Sequence, residues 1–208
     1  MNIKKPTAYA EALITESMEQ RLLMAHLRCP STIRSLYAIL SLPKQYRSAQ
    51  MTRILFICHG NICRSPISEF VMKDMVTKRG IKAKFYIASA ATSTEEIWNG
   101  IGNPVYPPAK RELAKHGISC EGKRAVQITK ADYGKYDYIL GMEERNIRNI
   151  LRIVGKDPEG KVKLLLDYSD NPRDIADPWY TRDFESTYRD VVEGCEGFLA
   201  YLEKNEKI

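Results

Sequence analysis

The sequence predicts an α/β fold: a doubly wound, four-stranded parallel sheet with helices on both faces and a phosphate-binding loop after the first strand. Three observations predict it. Short apolar runs alternate with helix-length amphipathic segments from residue 53 onward, the order of strand–helix–strand units. The first run, RILFIC (53–58), is apolar without alternation, as expected of a strand buried on both faces. It ends on Cys58 in ILFICHGNICRSPISEF (54–69), where a short polar loop passes directly into a helix.

The elements follow in order. Residues 66–79 read as a helix with Ile67, Phe70, Val71 and Met75 on one face, Ser65 as its cap and Pro66 in its first turn. AKFYIASA (83–90) reads as the second strand, and YPPAKRELAKHG (106–117) as a helix opened by proline and closed by Gly117. YDYILGM (136–142) is the third strand and EERNIRNILRIVG (143–155) the helix after it. KVKLLLDY (161–168) is the fourth strand, and residues 183–204 a closing helix capped by Asp183. Upstream, residues 7–28 and 31–41 read as helices, with KQYRSAQ as a linker. The expected organisation is therefore a helical or poorly ordered extension over 1–50 and a compact domain over 51–208, with Met51 as a candidate natural start.

Composition narrows the function. The chain has 208 residues, 44% hydrophobic and 28% charged, sufficient for a full core and an ordinary surface. Its net charge of +6 is uneven: residues 1–50 hold seven Lys/Arg against three Glu, leaving 25 against 23 in the remainder. No basic run interleaved with aromatics suggests a nucleic-acid track. No apolar run approaches the roughly 18 residues of a membrane span, and no signal peptide is evident. A cytoplasmic protein is expected, monomeric with at most weak self-association. Five cysteines (Cys29, Cys58, Cys63, Cys120, Cys195) without repeated spacing argue against a disulfide framework and leave room for a reactive thiol.

The Cys58–Arg64 segment carries the chemistry. His59, Gly60, Asn61, Ile62 and Cys63 lie between a strand end and a helix start, where successive backbone N–H groups can form an anion nest. Gly60 permits unusual backbone angles and Asn61 tolerates the left-handed region. Arg64 offers a planar fork for two phosphate oxygens. The same positive potential favours a thiolate at Cys58, to which Ser65 can donate a hydrogen bond. Zinc ligation by Cys58, His59 and Cys63 fits poorly, because the spacing is not C-x-x-C and no second ligand pair is near. No nucleotide-binding glycine motif occurs. Neither metal nor cofactor is expected.

Breaking a phosphate ester needs a proton for the leaving oxygen, and a thiolate cannot supply it. DNPRDIADPWYTRDF (170–184) follows the fourth strand on the side of Cys58 and holds Asp170, Asp174, Asp177 and Asp183. Asp177 is the candidate acid, although Asp-Pro is also a plain turn. Cys63 reads either as a lining residue or as a resolving thiol for oxidised Cys58. His116 reads as a helix-end histidine rather than a base.

The pairing of CHGNICRSP with a late DPWY resembles the low-molecular-weight protein tyrosine phosphatase family over about residues 51–206. SAATS (89–93), KHGIS (115–119), QITKADYGKYDYILGM (127–142) and DFESTYRDVVEGC (183–195) extend the resemblance. It implies Cys58 as nucleophile, Arg64 as phosphate ligand and Asp177 as general acid, then base. It also implies that Asn61 and Ser65 shape the loop, that Ser89 supports it, and that Trp98, Trp179 and Tyr180 form an aromatic rim. The implied substrates are phosphotyrosine-bearing proteins or small aryl phosphates. Two departures stand out: His59 occupies a position where relatives often have Leu or Thr, and TSTEEIWNGIGNP is longer than in many members. Arsenate reductases of this fold use a downstream cysteine pair, whereas Cys120 and Cys195 are far apart here. Arginine phosphatases carry Thr at the position of Ile62. A non-catalytic phosphopeptide-binding module would not need Cys58, Arg64 and Asp177 together.

Overall fold

The computed structural model describes residues 51–208; the helices expected over 7–28 and 31–41 lie outside the described residues. The main sheet has four parallel strands: β1 (Thr52–Cys58), β2 (Phe85–Ala91), β5 (Tyr138–Gly141) and β6 (Val162–Leu164). They lie side by side in the order β2-β1-β5-β6. The helices are α1 (Arg64–Lys78), α2 (Pro107–Lys115), α3 (Glu144–Val154), the short α4 (Pro178–Thr181) and α5 (Phe184–Lys204). Two short strands, β3 (Ile97–Trp98) and β4 (Ile101–Gly102), form a separate antiparallel hairpin. Among the described residues no helix is long and apolar enough to cross a membrane.

Side chains of β1 alternate between two hydrophobic layers. Ile54, Phe56 and Cys58 join Ile67 and Val71 of α1 and Phe198 and Leu199 of α5. Leu55 and Ile57 join Ile150 and Val154 of α3 on the opposite face. Each large apolar side chain fully buried this way contributes about 1.5–3 kcal/mol. The run lacks polar alternation because neither face meets water.

The chain leaves β1 for β2 on one side and then crosses to β5 on the other. This reversal opens a crevice at the carboxyl ends of β1 and β5, where ligands bind in such sheets. The loop after β1 begins at Cys58, and Met142 and Glu143 follow β5.

Several boundaries differ from the sequence expectation. Helix α1 starts at Arg64, with Cys63 at its cap position and no side-chain cap, so Ser65 does not cap it. The fourth strand extends over three residues only; Leu165–Tyr168 tightens into a 3₁₀ turn. Leu165 and Leu166 are both buried in one core layer, which alternating strand positions would not allow. Gly197 lets α5 approach this turn: a Cβ there would lie 2.2 Å from the Tyr168 carbonyl oxygen. The β3–β4 hairpin was not expected. Its turn is Asn99-Gly100, with φ of 49° and 77°, the residue pair favoured in two-residue hairpins.

Candidate active site

Cys58 ends β1 and is buried, with its sulfur 3.0 Å from Ser65 Oγ. The Asn61 backbone N–H donates to the same sulfur at 3.3 Å. Around it the loop turns carbonyls away: those of Cys58 and His59 accept from Thr92 and Ser93 N–H, that of Ile62 from Tyr106, and that of Cys63 from Ile67. These carbonyls are engaged by other segments or by the first helical turn, and of the loop amides Asn61 N–H faces the sulfur, in keeping with an anion nest. Asn61 makes the bend at φ 58°, in the left-handed region. Gly60 has no such angle. A Cβ there would stand 3.0 Å from Glu96 Cγ, a tight contact that the Glu96 side chain would have to yield to.

A chain of buried hydrogen bonds leads to the sulfur. Ser89 Oγ donates to Glu69 Oε2 at 2.5 Å, because a carboxylate only accepts. Ser89 therefore accepts from Asn61 Nδ2 at 2.8 Å, and the same Nδ2 donates to Ser65 Oγ at 2.9 Å. Asn61 Oδ1 accepts from Val126 N–H at 3.1 Å, which sets the amide's orientation independently. With its oxygen accepting from Asn61, Ser65 can give its own proton to Cys58 Sγ at 3.0 Å. The Ala90 carbonyl, at 3.4 Å, is the more distant alternative. Glu69 is buried and balanced by Lys73 and by Lys123 at 3.2 Å; Lys123 also donates to the Ser89 carbonyl at 2.9 Å.

Arg64 is the largest fully buried side chain, 1% exposed. Its Nη1 donates to the Ile175 carbonyl at 3.1 Å. Its Nη2 donates to Asp177 Oδ2 at 2.5 Å and Glu143 Oε1 at 3.0 Å. Burial pulls the guanidinium pKa down, but Cys58, Asp177 and Glu143 outweigh it and hold the group above its ordinary value. Asp177 caps α4 with its other oxygen, which accepts from Trp179 N–H at 3.0 Å. Burial, with Cys58 and Asp177 nearby, pushes the Cys63 thiol well up, so it stays protonated at neutral pH.

Trp98 sits on the β3–β4 hairpin, 70% exposed; Trp179 and Tyr180 sit on α4, 43% and 78% exposed. Trp179 packs on Tyr106 with ring centroids 5.2 Å apart, and Arg182 lies over its ring at 5.5 Å. The segment leading to the hairpin is tied to the loop after β1. His59 Nε2 lies 2.9 Å from Glu95 Oε2, a contact that helps hold the Glu95 carboxyl below its usual range. Ile62 is buried. His116 stacks on Tyr188 at 3.7 Å and pairs with Glu112, away from any catalytic contact. Among the described residues no group of three or more His, Cys, Asp or Glu is arranged to hold a metal.

Residues 53–208 match the family described as low molecular weight phosphotyrosine protein phosphatase. The chain belongs to this family. It is 41% identical over 157 residues to the low molecular weight phosphotyrosine protein phosphatase of Gallus gallus, covering 73% of this chain and 96% of that one. It is 35% identical over 160 residues to the low molecular weight protein-tyrosine-phosphatase YfkJ of Bacillus subtilis, covering 76% of this chain and all of that one. The YfkJ crystal structure superposes with a TM-score of 0.70, covering 75% of this chain and 97% of that one. A structure titled drosophila arginine phosphatase matches at 27% identity and a TM-score of 0.64, covering 71% of this chain and 96% of that one. Beyond the residues singled out from sequence, this family member's site contains Glu143, Glu69 and Lys123. Each looked like an ordinary charge on a helix or loop, and only the fold reveals that Glu69 is buried and that Glu143 and Lys123 are partly so.

Proposed function

We propose that the protein is a protein tyrosine phosphatase that hydrolyses phosphotyrosine and small aryl phosphates through a cysteinyl-phosphate, with residues 51–208 as its catalytic unit. One observation carries this reading: the Cys58 sulfur meets a backbone N–H and a serine hydroxyl, beside a buried Arg64 already joined to Asp177. Cys58 attacks phosphorus in line; the S–P bond forms as the P–O bond to the phenol breaks. Loop amides and Arg64 bind the three phosphoryl oxygens. Asp177, protonated, gives its proton to the departing phenolate oxygen. Its carboxylate then takes a proton from water, whose oxygen attacks phosphorus, releasing phosphate and restoring the thiolate. Asn61, Ser65 and Ser89 hold the thiolate in place, and Trp98, Trp179 and Tyr180 flank the aryl group. The natural substrates are phosphotyrosine-bearing proteins, met by a monomeric enzyme in a reducing cytosol.

Wild type and Cys58→Ser compared on phosphotyrosine, phosphoarginine and arsenate test this proposal. Wild type should turn over phosphotyrosine best, and Cys58→Ser should lose turnover while still binding a phosphate analogue. Turnover that survives Cys58→Ser rejects the cysteine mechanism. A preference for phosphoarginine would move the enzyme to the arginine-directed reading that Ile62 speaks against.

A further inference from the structure

The loop that carries Asp177 runs from the 3₁₀ turn ending at Tyr168 to α4 at Pro178 and has no regular structure of its own. Its inner half is fastened toward the sheet. Ile175 N–H donates to the Met142 carbonyl at 2.7 Å, the Ile175 carbonyl accepts from Arg64, and Asp174 Oδ1 accepts from Glu144 N–H at 3.0 Å. All three anchors lie at or after residue 174.

The outer half is held by Arg173. Its two terminal nitrogens reach both oxygens of Glu193, at 2.9 and 2.7 Å. One nitrogen also reaches Asp190 Oδ1 at 2.6 Å, and the other donates to the Asn171 carbonyl at 2.9 Å. Asp190 and Glu193 are three positions apart on α5 and so share one helix face. That helix is rigidly seated, with Val191, Cys195, Phe198, Leu199 and Leu202 all fully buried. A planar fork with two parallel bonds fixes direction as well as distance, which a lysine ammonium does not. Arg173 therefore ties an irregular loop to a fixed element four residues before the acid.

We propose that Arg173 is a positioning residue for Asp177: its bond to the α5 carboxylates holds the proton donor in line with the leaving oxygen. The inference rests on Asp177 being the general acid. Proton delivery is sensitive to placement, and a displacement of about 1 Å can cost on the order of 10²-fold. The inner anchors remain when Arg173 is replaced, so about tenfold is expected.

The test is kcat/KM, which covers steps through cysteinyl-phosphate formation, measured on two aryl phosphates. One has a strongly basic phenolate leaving group and the other a weakly basic one that departs without a proton. Arg173→Gln should lose about tenfold on the first and less than about twofold on the second. Arg173→Lys should fall between this variant and wild type. Glu193→Gln, which keeps Arg173, should show the same selective loss and replaces Arg173→Gln if that protein does not fold. Equal losses on both substrates, or no loss on either, overturn the proposal, because a merely structural clamp would lower the melting temperature without changing leaving-group dependence. Asp177→Asn is measured alongside. If it lacks a selective loss, the assignment of Asp177 falls and this inference with it; if it shows one and Arg173→Gln does not, this inference alone falls.

Discussion

Replacing Asn61 with alanine removes the hub of the Cys58–Arg64 loop, and its cost can be worked out from the contacts. Three buried hydrogen bonds are lost: two from Nδ2 to Ser65 and Ser89, and one from Val126 N–H to Oδ1. At about 1 kcal/mol each they total about 3 kcal/mol. Alanine at φ 58° adds about 1 kcal/mol, since it tolerates the left-handed region less well than asparagine. A loss of about 4 kcal/mol in a domain of this size lowers the melting temperature by roughly 8–16 °C. Asn61→Gly relieves the backbone cost but not the hydrogen bonds, so it should melt about 2–4 °C above Asn61→Ala. Both variants remove the Asn61 donor to the Ser65 oxygen, and kcat/KM on an aryl phosphate should fall about 10- to 100-fold. The assays are calorimetry and steady-state kinetics on all three proteins. If Asn61→Ala melts within about 3 °C of wild type and keeps its rate, the hydrogen-bond chain does not organise the sulfur.

The remaining predictions concern oxidation and chain length. Peroxide should convert the Cys58 thiolate to a sulfenic acid, releasing hydroxide; the Cys63 thiol should then condense with it, releasing water, to a disulfide that a dithiol reduces. Wild type should thus recover after mild peroxide and be protected by bound phosphate. Cys63→Ser should be inactivated at a similar rate but recover less, and equal recovery would leave Cys63 a lining residue only. A chain starting at Met51 should keep full activity on a small aryl phosphate, because the proposed roles are all filled after that residue. A loss greater than about tenfold, about 1.4 kcal/mol in the barrier, would show that residues 1–50 support the site.

Elements with a long, repeated signal were legible in the sequence. Strand β1, helix α3 and helix α5 fall within two residues of their expected bounds, and Asp183 caps α5 by accepting from Ser186 N–H at 2.8 Å. Legibility failed where tertiary contacts override local preference. LLLDY reads as strand by composition, but Leu164 N–H bonds to Asp167 Oδ2 and winds the segment into a turn. Ser65 has a helix-capping side chain, yet the sulfur of Cys58 occupies it instead. The hairpin had its Asn-Gly signal, but two-residue strands are too short to show alternation.

The site divides along the same physical line. The Cys58–Arg64 loop is contiguous, so spacing alone displays its pattern: a strand end, a turn that places Asn61 in the left-handed region, and an arginine at the helix start. Its supports come from distant segments. Glu69 faces inward from α1 to fix Ser89, Lys123 neutralises it from a loop, and Glu143 meets Arg64 from the end of β5. None of these charges has a local signature, because a buried glutamate and a solvated one are written identically on a helix. Burial makes the difference: an unpaired charge there would be costly, so each carboxylate found inside must have a cation or a donor assigned to it. The requirement runs in both directions at Arg64. Two carboxylates surround one buried guanidinium at Arg64. On the proposed mechanism an incoming phosphate dianion would share that cation with Asp177 and Glu143, and the weaker the Arg64–Asp177 bond becomes, the more readily Asp177 would hold the proton it passes to the leaving oxygen.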